Sequence, residues 1–178
     1  SFSGTSVACY LALLSNFETC ITNVSIEPEI IFLINVIAQM GYNIWFNKDK
    51  RIIRIIGNTN INVEDITITI PEDRNILVTR IISRLMSKQK MHFTANYGLD
   101  FENLYNLLKN IGIDCFIDHN YIVINDYNKD YLDKIKVESG FYPKICSDWQ
   151  PIIAVVLLKY CKEFEIYDGV FESRFEYM

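Results

Sequence analysis

The sequence contains no C-x-x-C pair, and its five cysteines, Cys9, Cys20, Cys115, Cys146 and Cys161, lie far apart. With only two histidines, His92 and His119, neither a disulfide framework nor a zinc site is expected. Reduced, mostly buried thiols are the expectation, with no metal and no cofactor. Positive charge is also short. Seventeen Lys and Arg against 22 Asp and Glu give a net charge of −5 without a basic cluster, which argues against a nucleic-acid partner. Apolar runs such as Ile152–Leu158 are less than half a membrane span, and no secretory leader is visible at the start. The expectation is a cytoplasmic protein with no membrane partner. Position 1 is Ser rather than Met, as in a chain that begins inside a longer one.

What is present is a normal globular composition, half of it hydrophobic, on 178 residues. That length is enough for one large or two small domains with a real core. It also holds an internal repeat. Leu33-Ile34-Asn35 through Met40-Gly41 can be laid on Leu104-Tyr105-Asn106 through Ile111-Gly112, an offset of about 71 residues. Each stretch is followed by a strand, a polar turn and a strand: Asn43–Phe46 and Arg51–Ile56, then Asp114–Ile117 and Tyr121–Ile124. A third copy starts at Glu165-Ile166-Tyr167-Asp168. The repeated unit reads strand–helix–strand–helix–strand–strand.

Segments Ser6–Leu14, Glu29–Met40 and Pro151–Tyr160 are apolar almost all round, which predicts helices buried on every side. Ile66-Thr67-Ile68-Thr69-Ile70 and Lys134-Ile135-Lys136-Val137 alternate, which predicts strands with one wet face. Helices inside and sheets outside is the reverse of a doubly wound fold. Pro28 opens a helix between two acids, and Gly41 and Gly112 sit where helices close. Ser147-Asp148-Trp149-Gln150 has the S-x-x-Q form of a capping box. Breakers between Gly57 and Glu64 mark a linker, and a boundary near residues 57–70 leaves two lobes.

Four motifs, in order along the chain, resemble one family. Ser3-Gly4-Thr5, Ile21-Thr22-Asn23 and Glu27-Pro28-Glu29-Ile30 are similar to its S-x-x-G-T…I-x-N-x-x-x-E-P-E-I run. Ile70-Pro71-Glu72-Asp73-Arg74 resembles its I-P-D-R with one insertion. Ser147-Asp148-Trp149-Gln150 resembles its F-P-T-D-x-Q, and Val170-Phe171-Glu172-Ser173-Arg174-Phe175 its V-F-E-N-R-F. The family is UDP-N-acetylglucosamine 1-carboxyvinyltransferase, the UDP-GlcNAc enolpyruvyl transferases of peptidoglycan synthesis.

The resemblance implies an inside-out α/β barrel of repeated units. Residues 1–69 would be the last repeat of one lobe and 70–178 the first repeats of the second. It implies transfer of the enolpyruvyl group of phosphoenolpyruvate to the 3′-hydroxyl of UDP-GlcNAc, with release of phosphate. That chemistry needs a base for the hydroxyl, an acid for the methylene carbon and cations around the phosphate. Asp148 falls at the family's base, and an aspartate is anionic at neutral pH, as a proton acceptor must be. Read from the residues alone, Ser147 and Asp148 equally well start a helix, and one residue can do both. By the same resemblance Ser1 and Phe2 fall at the loop contacting the nucleotide diphosphate, at a helix N-terminus suited to anions. Val170 falls in the nucleotide-sugar pocket and Arg174 near the reacting phosphate. From its residue type alone, Arg174 reads equally as a helix-surface charge.

Departures from the pattern are specific. I-E-x-G-T follows P-D-R in the family, but Asn75-Ile76-Leu77-Val78-Thr79 stands here, so Ile76 and Val78 replace the glutamate and the glycine. Cys146 stands for the Pro before the base motif and Ser173 for the Asn of F-E-N-R-F. The family's Lys-Asn pair, its loop with the acid cysteine and its C-terminal phosphate-binding arginine have no counterpart. Cys115, in a strand after Gly112, is expected in the core and not in such a loop. The chain therefore reads as the middle of the enzyme, inactive without the rest of the same chain. Two other readings stay open: 5-enolpyruvylshikimate-3-phosphate synthase, and a diverged non-catalytic paralogue that binds nucleotide sugars.

Overall fold

The computed structural model describes residues 1–62, 65–87, 91–94, 101–118, 121–127 and 132–170. The chain divides into two compact units, Ser1–Ile70 and Pro71–Met178.

The first unit starts with helix α1 (Phe2–Leu13), whose first turn is tied down twice. The Gly4 N–H donates to the Ser1 hydroxyl at 3.2 Å, and the Thr5 hydroxyl donates to the Ser1 carbonyl at 3.0 Å. Strand β1 (Glu18–Thr22) leads to helix α2 (Pro28–Gln39), which Pro28 opens in its first turn. Gly41 closes it at φ +91°, and Tyr42 N–H to Ile37 O and Gly41 N–H to Ala38 O complete a Schellman turn. Strands β2 (Asn43–Asn47) and β3 (Ile52–Ile56) follow. The three strands form an antiparallel sheet in the order β1-β3-β2. Ile53 and Ile55 of β3 point inward with Cys9, Ile30 and Ile37, while Arg54 faces outward between Cys20 and Trp45.

The second unit repeats this plan. Helix α3 (Arg74–Met86) is capped by Asp73, whose carboxylate accepts from the Asn75 N–H at 2.7 Å. Strand β4 (Met91–Thr94), helix α4 (Glu102–Asn110) and strands β5 (Ile113–Asp118) and β6 (Tyr121–Tyr127) come next. Their sheet order, β4-β6-β5, matches that of the first unit, and Gly112 closes α4 at φ +80° as Gly41 closes α2. The unit continues with strand β7 (Leu132–Ser139), a 3₁₀ turn (Ser147–Trp149), helix α5 (Gln150–Tyr160) and strand β8 (Cys161–Asp168). Strands β7 and β8 pair in parallel across the α5 crossover. Leu77, Ile81, Leu104, Leu108, Ile113, Ile153 and Leu157 form the core between these elements. Among the exposed side chains of this pair, Lys162 meets Asp133 at 2.6 Å and Lys136 meets Glu165 at 2.7 Å, which holds both carboxyls below their usual range.

Two expectations need correction. The apolar helices are not buried on every side. Helix α1 buries Thr5, Cys9 and Ala12 but leaves Leu11 64% and, at its C-cap, Leu14 71% exposed, and α5 leaves Leu158 70% exposed. A helix lying on one sheet covers only the stripe that faces it. The Ile66–Ile70 segment is not a strand: it carries no regular structure and Ile70 is 79% exposed. Alternation becomes a ladder only where a partner strand pairs the backbone groups, and among the described residues none does. The sheets are open, and no barrel closes among the described residues.

All five cysteines are free. Burial pushes the Cys9 and Cys115 thiols up to about 11, whereas Cys20 is exposed. Alkylation at pH 8 followed by mass mapping is therefore expected to label Cys20 first. Cys9 and Cys115 should react only in denaturant; native labelling of either at the Cys20 rate would contradict the buried placement.

Candidate active site

The parallel pair β7–β8 and the helix between them converge at Ser139. Its backbone stands opposite Asp168 in the strand register, and its carbonyl accepts from the Gly169 N–H at 3.1 Å. Its buried hydroxyl accepts from the Gln150 side-chain amide and donates to the Tyr167 carbonyl at 3.4 Å. The last residue of β7, the end of β8 and the first residue of α5 thus meet at one point. In parallel α/β units, this carboxyl end of the strands is where ligands are held.

Asp148 sits on the 3₁₀ turn that feeds α5, and of the run Ser147-Asp148-Trp149-Gln150 it alone is exposed. Ser147, Trp149 and Gln150 beside it are 9%, 4% and 1% exposed. Trp149 is fixed on several sides. Its indole N–H donates to Asn75 Oδ1 at 2.7 Å, and its ring stacks on Phe101 with centroids 6.2 Å apart and planes 20° apart. The Arg74 guanidinium lies 5.7 Å from the same ring centroid. The start of α3 therefore packs on the turn that displays the carboxylate.

The expected capping box does not form. The 3₁₀ turn and α5 have Cys146 and Trp149 at their N-caps, and neither residue's side chain caps the helix it starts. The Gln150 amide, which the box would turn back to Ser147, goes to Ser139 instead. The amide nitrogen finds its acceptor inside the core, while Gln150 Oε1 is buried without a hydrogen-bond partner among the described residues.

Of the remaining candidates, Val170 is half-buried just beyond β8, with its N–H on the Asp168 carboxylate at 2.9 Å. The Asp168–Ser139–Gln150 connection brings the Val170 and Asp148 segments to the same end of the strand pair. Ser1 and Phe2 lie in the first unit, where Ser1 caps α1 and Phe2 is 42% exposed. Arg174 falls outside the described residues. Sequence reasoning passed over Asn75, Phe101 and Ser139 as site residues. Arg74 and Gln150 stood inside quoted motifs, but only the folded chain shows what they hold. Among the described residues, no group of three or more His, Cys, Asp or Glu could hold a metal ion. No helix among them is long and apolar enough to cross a membrane.

No protein-family model matches the chain. The UDP-N-acetylglucosamine 1-carboxyvinyltransferase of Pelagibacter ubique is 29% identical over 164 residues, which cover 92% of this chain and 38% of that protein. Its namesake from Kosmotoga olearia is 29% identical over 167 residues, covering 94% of this chain and 38% of that protein. The chain is similar to UDP-N-acetylglucosamine 1-carboxyvinyltransferases. It spans under two fifths of the length of these relatives. The similarity to UDP-N-acetylglucosamine 1-carboxyvinyltransferase covers so much of the chain that it runs through both units. Among solved structures, the enolpyruvyl transferase NikO from Streptomyces tendae aligns with a TM-score of 0.77. That alignment covers 98% of this chain and 42% of that one at 16% identity. The mixed α/β fold is thus shared with an enolpyruvyl transferase.

Proposed function

We propose that the chain is the central part of an enzyme transferring the enolpyruvyl group of phosphoenolpyruvate to UDP-N-acetylglucosamine. The observation that carries the proposal is Asp148, exposed on a turn whose neighbours are buried, inside a chain similar over nine tenths of its length to such enzymes. Residues 1–69 then belong to one lobe and 70–178 to the other, each lobe an inside-out barrel of repeats. The exposed apolar sides of α1 and α5 support that architecture, because further repeats would cover them.

In this reading the Asp148 carboxylate takes the proton of the sugar 3′-hydroxyl as its oxygen bonds to carbon 2 of phosphoenolpyruvate. Carbon 3 receives a proton from an acid outside the described residues. Phosphate then leaves carbon 2 as carbon 3 gives up a proton, and the double bond is restored. Val170 borders the nucleotide sugar, Ser1 and Phe2 the diphosphate at the start of α1, and Arg174 the phosphate that departs. No redox cofactor is needed, because the reaction changes no net oxidation state.

Phosphate release measures this directly. The product of the full-length gene is expected to release phosphate from phosphoenolpyruvate only when UDP-N-acetylglucosamine is present. Shikimate 3-phosphate in its place should give none. The 178 residues alone are expected to bind the nucleotide sugar weakly and release no phosphate. They include the proposed base and Arg174 but no counterpart of the acid, of the family's Lys-Asn pair or of its C-terminal phosphate-binding arginine, and such electrostatic groups usually contribute most in such a site. Release that ignores the nucleotide sugar would overturn the proposal.

A further inference from the structure

We infer that Asn75 and Trp149 form a positioning pair that fixes the direction in which the Asp148 carboxylate is presented. The inference rests on the proposed reading of Asp148 as the base.

The geometry forms a short relay. The Asp73 carboxylate accepts the Asn75 N–H at 2.7 Å, which seats Asn75 in the first turn of α3. The Asn75 side-chain oxygen accepts the Trp149 indole N–H at 2.7 Å, 74 residues along the chain. Trp149 is only 4% exposed and stacked on Phe101, so its ring has nowhere to rotate without losing both contacts. Asp148 is joined to this ring by one peptide unit. On its far side Gln150, 1% exposed, is held by Ser139. The turn is pinned at two successive residues, and the residue before them is the one left facing out. An indole has a single donor and is buried here, so losing its acceptor leaves a polar group unsatisfied. The ring then shifts toward any other acceptor. A shift of about 1 Å in a catalytic group can cost on the order of 10²-fold in rate. A pair that sets the direction of a base acts on turnover and not on the affinity of the sugar nucleotide.

The test uses the full-length gene product with phosphoenolpyruvate and UDP-N-acetylglucosamine. Asn75→Leu removes the acceptor, and Trp149→Phe keeps a stacked ring without the donor. Each is expected to lower kcat about 10-fold while the KM for the nucleotide sugar stays within about 2-fold. Because the two residues act as one pair, the double variant should be no slower than either single variant. Asn75→Asp, which keeps an oxygen at the same reach, should recover most of the lost rate. If Asn75→Leu does not fold, Trp149→Phe and Asn75→Asp carry the test on their own.

Asp148→Asn is measured beside them. If it is slow while the pair variants keep wild-type kcat, or if the pair effects add fully, the positioning role is overturned and the base reading stands. A loss seen only in the thermal midpoint overturns the positioning role as well. If Asp148→Asn turns over at the wild-type rate, or the wild type releases no phosphate, the base reading falls and the pair falls with it.

Discussion

The Gly57→Ala substitution is expected to cost the first unit about 3 kcal/mol, the upper end of ordinary overpacking penalties. Gly57 follows β3 and passes under the C-terminal end of α1. A Cβ there would lie 2.2 Å from the Ala12 carbonyl oxygen, 2.4 Å from that of Ser15 and 2.7 Å from the Ser15 hydroxyl. Two of those atoms are backbone, and the Ala12 oxygen already accepts from the Ser15 hydroxyl at 2.8 Å. Rotating the Ser15 side chain does not relieve the two backbone clashes, so the end of α1 must shift away. For a small domain, 3 kcal/mol is a large part of a total of about 5–15 kcal/mol. Hydrogen exchange read peptide by peptide locates the effect. Peptides from β1, β2 and β3 should lose protection, while those from α3, α4 and α5 keep theirs. Unchanged protection in β3 would show that the α1 end yields freely.

The same glycine marks what could and could not be read from the sequence. As one of several breakers, Gly57 reads as a linker residue, and only the fold shows that a helix end presses on it. The repeat was legible because it is written in local signals: Pro28 opens α2, Gly41 and Gly112 close α2 and α4, and paired strands follow each. These signals act within a few residues, so their spacing survives into the structure as two sheets of the same strand order. Signals that need a distant partner did not survive. The alternation of Ile66–Ile70 is as regular as that of β7, yet β7 finds β8 and the other segment finds no strand among the described residues. The all-round apolar character of α1 suggests burial on every side, but the helix buries one stripe and leaves Leu11 64% exposed.

The candidate site divides in the same way. Asp148 could be singled out because a short motif surrounds it, but the S-x-x-Q pattern suggested a local cap. Gln150 instead reaches Ser139, 11 residues back, and Trp149 reaches Asn75, 74 residues back. Neither spacing is a motif. A resemblance can place a carboxylate in a sequence, whereas its orientation comes from residues brought together only by packing α3 against the turn.

Asp148→Asn in the full-length gene product is expected to lower kcat by about 10²-fold or more, the usual contribution of a general base. Asparagine keeps the size and hydrogen-bonding shape of the side chain but cannot take up the hydroxyl proton. The loss should appear in kcat and in kcat/KM together, as it does for an interaction made in the transition state, with the affinity for UDP-N-acetylglucosamine little changed. The thermal midpoint separates this from a role in starting the helix. Neither the 3₁₀ turn nor α5 uses a side-chain cap, and Asp148 is exposed, so an asparagine of the same size leaves the packing of the turn in place. Stability should therefore hold while turnover falls. A residue that serves only the helix start would give the opposite result: asparagine caps about as well as aspartate, so both rate and midpoint would stay at wild-type values. An unchanged kcat would remove Asp148 from the chemistry and leave the turn at the end of β7 and β8 as a structural junction.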